Sequence, residues 1–211
     1  MSSRTALATT RLVEWIPALA GMSFIFLMQT LAGGIILGLA PAAAVLAHAV
    51  RARIDGTRVG FRESWMLWAA SWRRSQLLLG VPILQLVPFT AWLVITRGSM
   101  WVATVAVIGV VLSAWLFVLP PTQTRYPYAS ASQVWIGALW RLARHPLMIG
   151  AAIGVVAALF IALWNWLLVG LIVWGPGVIM VAAELAYRGG ERRDARRAQY
   201  ARAVYPSADD T

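Results

Sequence analysis

Apolar residues along this chain come in blocks of about twenty, separated by short polar stretches, without the period-two alternation of half-buried strands; that spacing predicts helices crossing a membrane. A helix rises about 1.5 Å per residue and a hydrocarbon core is about 30 Å thick, so each span needs roughly 20 apolar residues. The first block, Trp15 to Val50, is too long for one span and holds Gly33-Gly34 at its middle, where reversal costs little steric strain. It reads as a hairpin over 15–53, with spans at 15–32 and 35–53 and a kink at Pro41, whose ring removes a backbone hydrogen bond. Spans at 76–95 and 99–119 are joined by Thr96-Arg97-Gly98-Ser99, and spans at 146–164 and 167–186 turn at Trp164-Asn165-Trp166, whose amphipathic indoles suit the headgroup level. The expected fold class is all-α, a polytopic membrane helical bundle of about six transmembrane helices in a single membrane domain, 1–211. An alternative keeps 15–39 as one span and 41–54 as an interfacial helix, which gives five spans and an outside N-terminus.

Two polar-apolar segments differ from the spans. Phe61, Trp65, Trp68 and Trp72 fall at i, i+4, i+7 and i+11, one aromatic stripe on a helix, with Glu63, Ser64, Ser71 and Arg74 away from it. The segment reads as an interfacial helix with buried indoles and a wet polar face. Trp135, Leu139 and Leu142 repeat the design, with Arg141 and Arg144 at the end. At an offset of 70, Trp65 matches Trp135, Arg74 matches Arg144, Leu77 matches Leu147 and Gly80 matches Gly150. The shared order (interfacial helix, arginine, span, turn, returning span) predicts a parallel internal repeat, 61–119 and 131–186, followed by a basic cytoplasmic tail at 187–211. The first hairpin, preceded by Arg11, reads as a candidate third copy. These helices are either topological anchors or a docking surface made by Phe61, Trp65, Trp68, Trp72, Arg73, Arg74, Trp135, Arg141 and Arg144.

Composition strengthens the membrane reading, since 60% apolar and 12% charged residues leave too little polar surface for a soluble globule of 211 residues. All 18 basic residues are arginine, and their placement orients the chain. Two precede the first span, six lie in Arg51–Arg74, three in Arg125–Arg144 and six in Arg188–Arg202, against Arg97 alone on the other side. The positive-inside rule then makes both termini cytoplasmic in a multi-pass protein of the bacterial cell membrane. A cleaved signal peptide is the competing reading of the N-terminus, but the apolar block far exceeds an h-region. The net charge of +10 sits between spans, where it meets anionic lipid headgroups of the bilayer; no nucleic acid partner is expected. The tail either continues the last span or lies on the leaflet.

Intramembrane polar residues are few: Gln29, His48, Gln85, Thr90, Thr104, Ser113 and Glu184. Glu184 stands four residues before Arg188, so a helix-exit ion pair competes with a proton-relay role. His48 lies one turn from Arg51, and Gln29 and Gln85 suit interhelical hydrogen bonds. Gly34 and Gly38 form a GxxxG spacing that permits close helix approach. With no cysteine, two histidines, no carboxylate pair and no glycine-rich phosphate loop, neither metal, cofactor nor catalysis is expected.

Leu12-Val-Glu14-Trp15, the run Gly34-Ile-Ile-Leu-Gly38-Leu-Ala-Pro41-Ala-Ala-Ala with Arg51 and Asp55-Gly56, and the aromatic-basic segment Phe61 to Gln76 together resemble the YesL family of bacterial integral membrane proteins. This chain has arginine where that family often has lysine. The resemblance implies a non-catalytic accessory subunit of a carbohydrate ABC importer, packed against the permease subunits, because such genes lie beside those of sugar importers. A small transporter or channel, as a homo-oligomer, is the alternative from another class. An enzyme acting on lipid-linked sugars stands further off, for want of paired carboxylates.

Overall fold

The computed structural model describes residues 3–96, 101–164 and 168–204, and these are helical with no strand among them. The helices are α1 (Ser3–Ala32), α2 (Ile36–Ile54), α3 (Phe61–Ser75), α4 (Val81–Ile95), α5 (Val102–Arg125), α6 (Ala131–Arg144), α7 (Pro146–Trp164) and α8 (Leu168–Val204). A π-helical turn, Gln76–Gly80, joins α3 to α4. Among the described residues three stretches are long and apolar enough to cross a membrane: Val13–Ala32, Ile36–Ile54 and Val102–Arg125. A fourth arises if α6 and α7, bent by 91°, form one broken span. Arg97 and the expected turn residues Asn165 and Trp166 lie outside the described residues. The basic tail continues α8 as one helix through Val204.

Small residues let the helices approach. Ala40, Ala44, Ala114 and Ala138 pack with Leu78, Leu79, Val118, Leu119, Val134, Ile149 and Tyr187 in the main core, where α2, the π turn, α5, α6, α7 and α8 meet. A second cluster joins Leu46, Ala47 and Val50 of α2 to Met180 of α8. The α1–α2 turn is tight enough that a Cβ on Gly38 would stand 2.3 Å from the Thr30 carbonyl oxygen, so glycine is required there. Gly34, at φ +72°, and Ile35, at φ +58°, are the two positive-φ residues of the same turn.

Prolines shape the interior through the carbonyls they release. Pro41 has no N–H for Leu37 one turn earlier, and that carbonyl accepts from Gln76 Nε2 instead. Pro82 likewise releases the Leu78 carbonyl, which accepts from Trp135 Nε1 at 3.0 Å. Each opened backbone group is thus closed by a side chain from the following segment, which a lipid-immersed helix requires because no water is there to serve.

The wet polar face expected on α3 is divided: Glu63 is exposed, Ser71 and Arg74 are half-buried, and Ser64 is buried. Ser64 is 2% exposed, its carbonyl accepting from Gln29 Nε2 of α1 at 3.0 Å, and Ser75 bonds Gln123 of α5 at 3.3 Å. The α1–α2 hairpin packs along one face of α3, while Arg62, Glu63, Met66 and Arg73 on the other stay exposed.

The expected reversal at Gly33-Gly34 is present, between the end of α1 and the start of α2. Trp72 reaches the turn, with its Cη2 2.9 Å from a Cβ built on Gly33. Two residues on, Arg74 donates to the carbonyls of Tyr126 and Ala129 at 2.8 and 3.0 Å.

Candidate functional site: a clamped carboxylate at the arginine-rich end

Glu184, on α8, has a side chain only 1% exposed. Arg125, at the end of α5, grips it bidentately, Nη1 to Oε2 at 2.9 Å and Nη2 to Oε1 at 2.8 Å. Arg188, one turn along α8, donates from Nε to Oε1 at 2.9 Å. The expected i,i+4 pair is present, but it is the lesser part of the arrangement. Arg125 Nε also reaches Glu191 at 3.2 Å, Arg188 reaches Asp55 at 2.7 Å, and Arg51 donates to the Thr124 carbonyl at 3.1 Å. These bonds tie the C-terminal ends of α2 and α5 to the middle of α8. With three N–H donors on its two oxygens, Glu184 is held as a structural anion, and the geometry favours a clamp over a proton relay.

Tyr187 lies between two guanidiniums, Arg125 at 3.9 Å and Arg141 at 3.7 Å from the ring centre. Cation–π attraction at such distances is strongest when the pair is desolvated. Burial pushes the tyrosine hydroxyl up to about 12, against the opposing pull of Arg141 and Arg125, so the ring is neutral at physiological pH. Arg51, Asp55, Arg125, Arg188, Glu191 and Arg192 line an open cavity of about 450 Å³ beside the clamp.

At the corner between α6 and α7, His145 donates to Asp194 of α8 at 3.1 Å, and Arg144 Nε bonds the same carboxylate at 3.0 Å. The His145 hydrogen bond, helped by the charges of His145 and Arg144 and opposed by slight burial, holds Asp194 below the usual carboxylate range. A carboxylate whose folded pKa is depressed adds stability above its unfolded value, near 4, and loses it as pH falls through the folded value. Amide exchange in the α8 tail is thus expected to be level from pH 7 to 5 after correction for intrinsic rates, and to rise below about pH 4. In Asp194→Asn the step should vanish; an unchanged step in that variant refutes the assignment.

The expected docking residues are divided by the structure. Trp65, Trp68 and Trp72 are half-buried in an edge-to-face series with Phe61, at centroid separations of 6.3, 5.4 and 4.7 Å. Trp135 is packed edge-to-face on Trp115 at 6.2 Å. Arg74, Arg141 and Arg144 bond within the chain, while Phe61 and Arg73 are exposed. Gln29 is fully buried and bridges α1 to α3. His48, Gln85, Thr104 and Ser113 are exposed and apart from the clamp; the side chain of Thr90 lies outside the described residues. Of the family-motif residues, Gly38 and Pro41 serve the hairpin, Arg51 serves the clamp, and Glu14 and Trp15 line a cavity at the base of α1. Among the described residues no group of three or more histidines and carboxylates is placed to hold a metal.

The sequence reading missed Arg125, Asp55 and Glu191 as partners of this site. The available signal was weak: Arg125 ends α5 and Asp55 caps α2, but Glu191 lies within α8, and nothing local pairs them. Comparison with family models, with curated proteins and with solved structures finds no match to this chain, so the resemblance to the YesL family stands on the residues quoted for it.

Proposed function

We propose that the chain is a non-catalytic integral membrane subunit, packed by its uncovered helix faces against the permease of a carbohydrate ABC importer. What supports this reading is how little of its apolar surface the chain covers itself. Only 17% of the apolar stretch in α1 and 28% of that in α5 is buried, against 50% in α2. Val13, Ile16, Phe24, Met28 and Leu31 of α1 and Val107, Ile108, Val110 and Val111 of α5 face outward. Such faces require lipid or the spans of another protein. The importer itself rests on the resemblance.

The finer architecture belongs to the same proposal. About six membrane-embedded helices have both termini on the arginine-rich, cytoplasmic side, with the α1–α2 hairpin entering and leaving there. The parallel repeat gains support from a shared start: Glu63 accepts from the Gly60 N–H at 3.2 Å and Gln133 from the Ser130 N–H at 2.9 Å, again an offset of 70. With Trp65, Trp68, Trp72 and Trp135 half-buried, α3 and α6 offer the partner Phe61, Met66, Ile136 and Trp140, all more than half exposed.

Mild-detergent purification of the tagged chain from its native host, followed by mass spectrometry, tests this. Stoichiometric permease and ATPase subunits are expected, and Ile136→Arg with Trp140→Arg should reduce their yield without preventing membrane insertion. A chain recovered alone or only with itself overturns the accessory role and favours a homo-oligomeric transporter, for which liposome flux is the next assay.

A further inference from the structure

We propose that the cleft at the base of the α1–α2 hairpin binds one two-chain glycerophospholipid whose headgroup carries both a phosphate and an ammonium. The site rests on the membrane reading of the chain and on nothing about its partner. Two cavities, of about 840 and 500 Å³, meet at three charged residues, Glu14, Arg53 and Arg58. The larger runs between α1, α2 and α8, with Leu19, Val181 and Leu185 on its wall. The smaller runs between α1, α2 and the 55–60 segment, with Met22, Ile25 and Ala49 on its wall. Two open clefts with apolar stretches on their walls, sharing one charged point, fit two acyl chains leaving one head, which a single-chain amphiphile lacks.

The charges specify the head. Arg53 is steadied by its Nη2 bond to the Glu14 carbonyl at 3.4 Å and by the Trp15 ring 5.9 Å beneath it. Its remaining donors, with the Arg58 guanidinium on the lining of the same two cavities, suit phosphate oxygens, which guanidinium groups bind in paired fashion. The Glu14 carboxylate and the Arg58 guanidinium make no hydrogen bond or ion pair among the described residues and border both cavities. A carboxylate beside the phosphate repels a purely anionic head and attracts an ammonium that can donate to it. Asp55, also on the wall, is already engaged by Arg188 and Arg51, which leaves Glu14 as the acceptor.

The test uses the full chain, purified and delipidated in mild detergent, titrated with dioleoyl-phosphatidylethanolamine, dioleoyl-phosphatidylglycerol or single-chain lysophosphatidylethanolamine and read by native mass spectrometry. One molecule of phosphatidylethanolamine is expected to bind in preference to both others. Arg58→Ala is expected to weaken it by roughly tenfold, the loss of one charge-assisted contact; Glu14→Gln should remove the preference over phosphatidylglycerol. Arg53→Gln provides an independent second variant, and melting temperatures near the parent's show that each variant is folded. Phosphatidylglycerol or the lysolipid binding as well as phosphatidylethanolamine overturns the proposal, as does affinity unchanged in Arg58→Ala and Arg53→Gln. A result of this kind leaves the accessory-subunit reading untouched, because that reading is judged by co-purified permease.

Discussion

Replacing Arg125 by Ala is expected to destabilise the chain by about 3–5 kcal/mol, the cost of breaking a buried pair and leaving its partner charged and poorly satisfied. Glu184 would keep only the bond from Arg188, whose own side chain is 23% exposed and able to turn toward water. Arg188→Ala should therefore cost less, about 1–2 kcal/mol, since it removes one hydrogen bond and leaves the bidentate grip. Arg125→Leu combined with Glu184→Leu is expected to recover most of the loss, because a buried ion pair exchanged for apolar groups of similar volume is often near neutral. Reversible unfolding in mixed micelles measures all four proteins. A loss below about 1 kcal/mol for Arg125→Ala, or a double variant no better than the single, would contradict the clamp.

Trp135 carries the second large effect, and two substitutions separate its packing from its hydrogen bond. Trp135→Ala should cost about 3 kcal/mol or more, through lost burial and the contact with Trp115. Trp135→Phe keeps most of the ring but leaves the Leu78 carbonyl, opened by Pro82, with no donor; a loss of about 1–3 kcal/mol is expected. A shift in the amide I band of Leu78 labelled with carbon-13 should accompany it. If Trp135→Phe is neutral and the band does not move, the indole is there for its volume alone.

The helical character of the chain, with helices long and apolar enough to cross a membrane, was legible because block length and composition report directly on the solvent a helix needs. The Glu184–Arg188 contact was legible for a similar reason, as i,i+4 neighbours meet on any helix. Arg125 was not, because it lies 59 residues from Glu184 and nothing local in the chain encodes which helix ends converge. Periodicity placed Trp65, Trp68 and Trp72 on one face correctly, but a stripe does not state whether lipid or protein covers it; the hairpin lying along α3 decided that. Pro41 announced an opened carbonyl, while its closure by Gln76 depends on how α2 and the π turn pack. His48 and Gln85 drew notice as polar residues in apolar surroundings, and their exposure shows that polarity within a span does not by itself bring residues together.

The carbonyls released by Pro41 and Pro82 also set an order of biosynthesis. When α2 leaves the ribosome its Leu37 carbonyl has no partner until Gln76 follows, and the Leu78 carbonyl then waits for Trp135. Each intermediate is therefore incomplete until the next segment arrives, and a nascent chain released before Trp135 exposes an unserved peptide group to lipid.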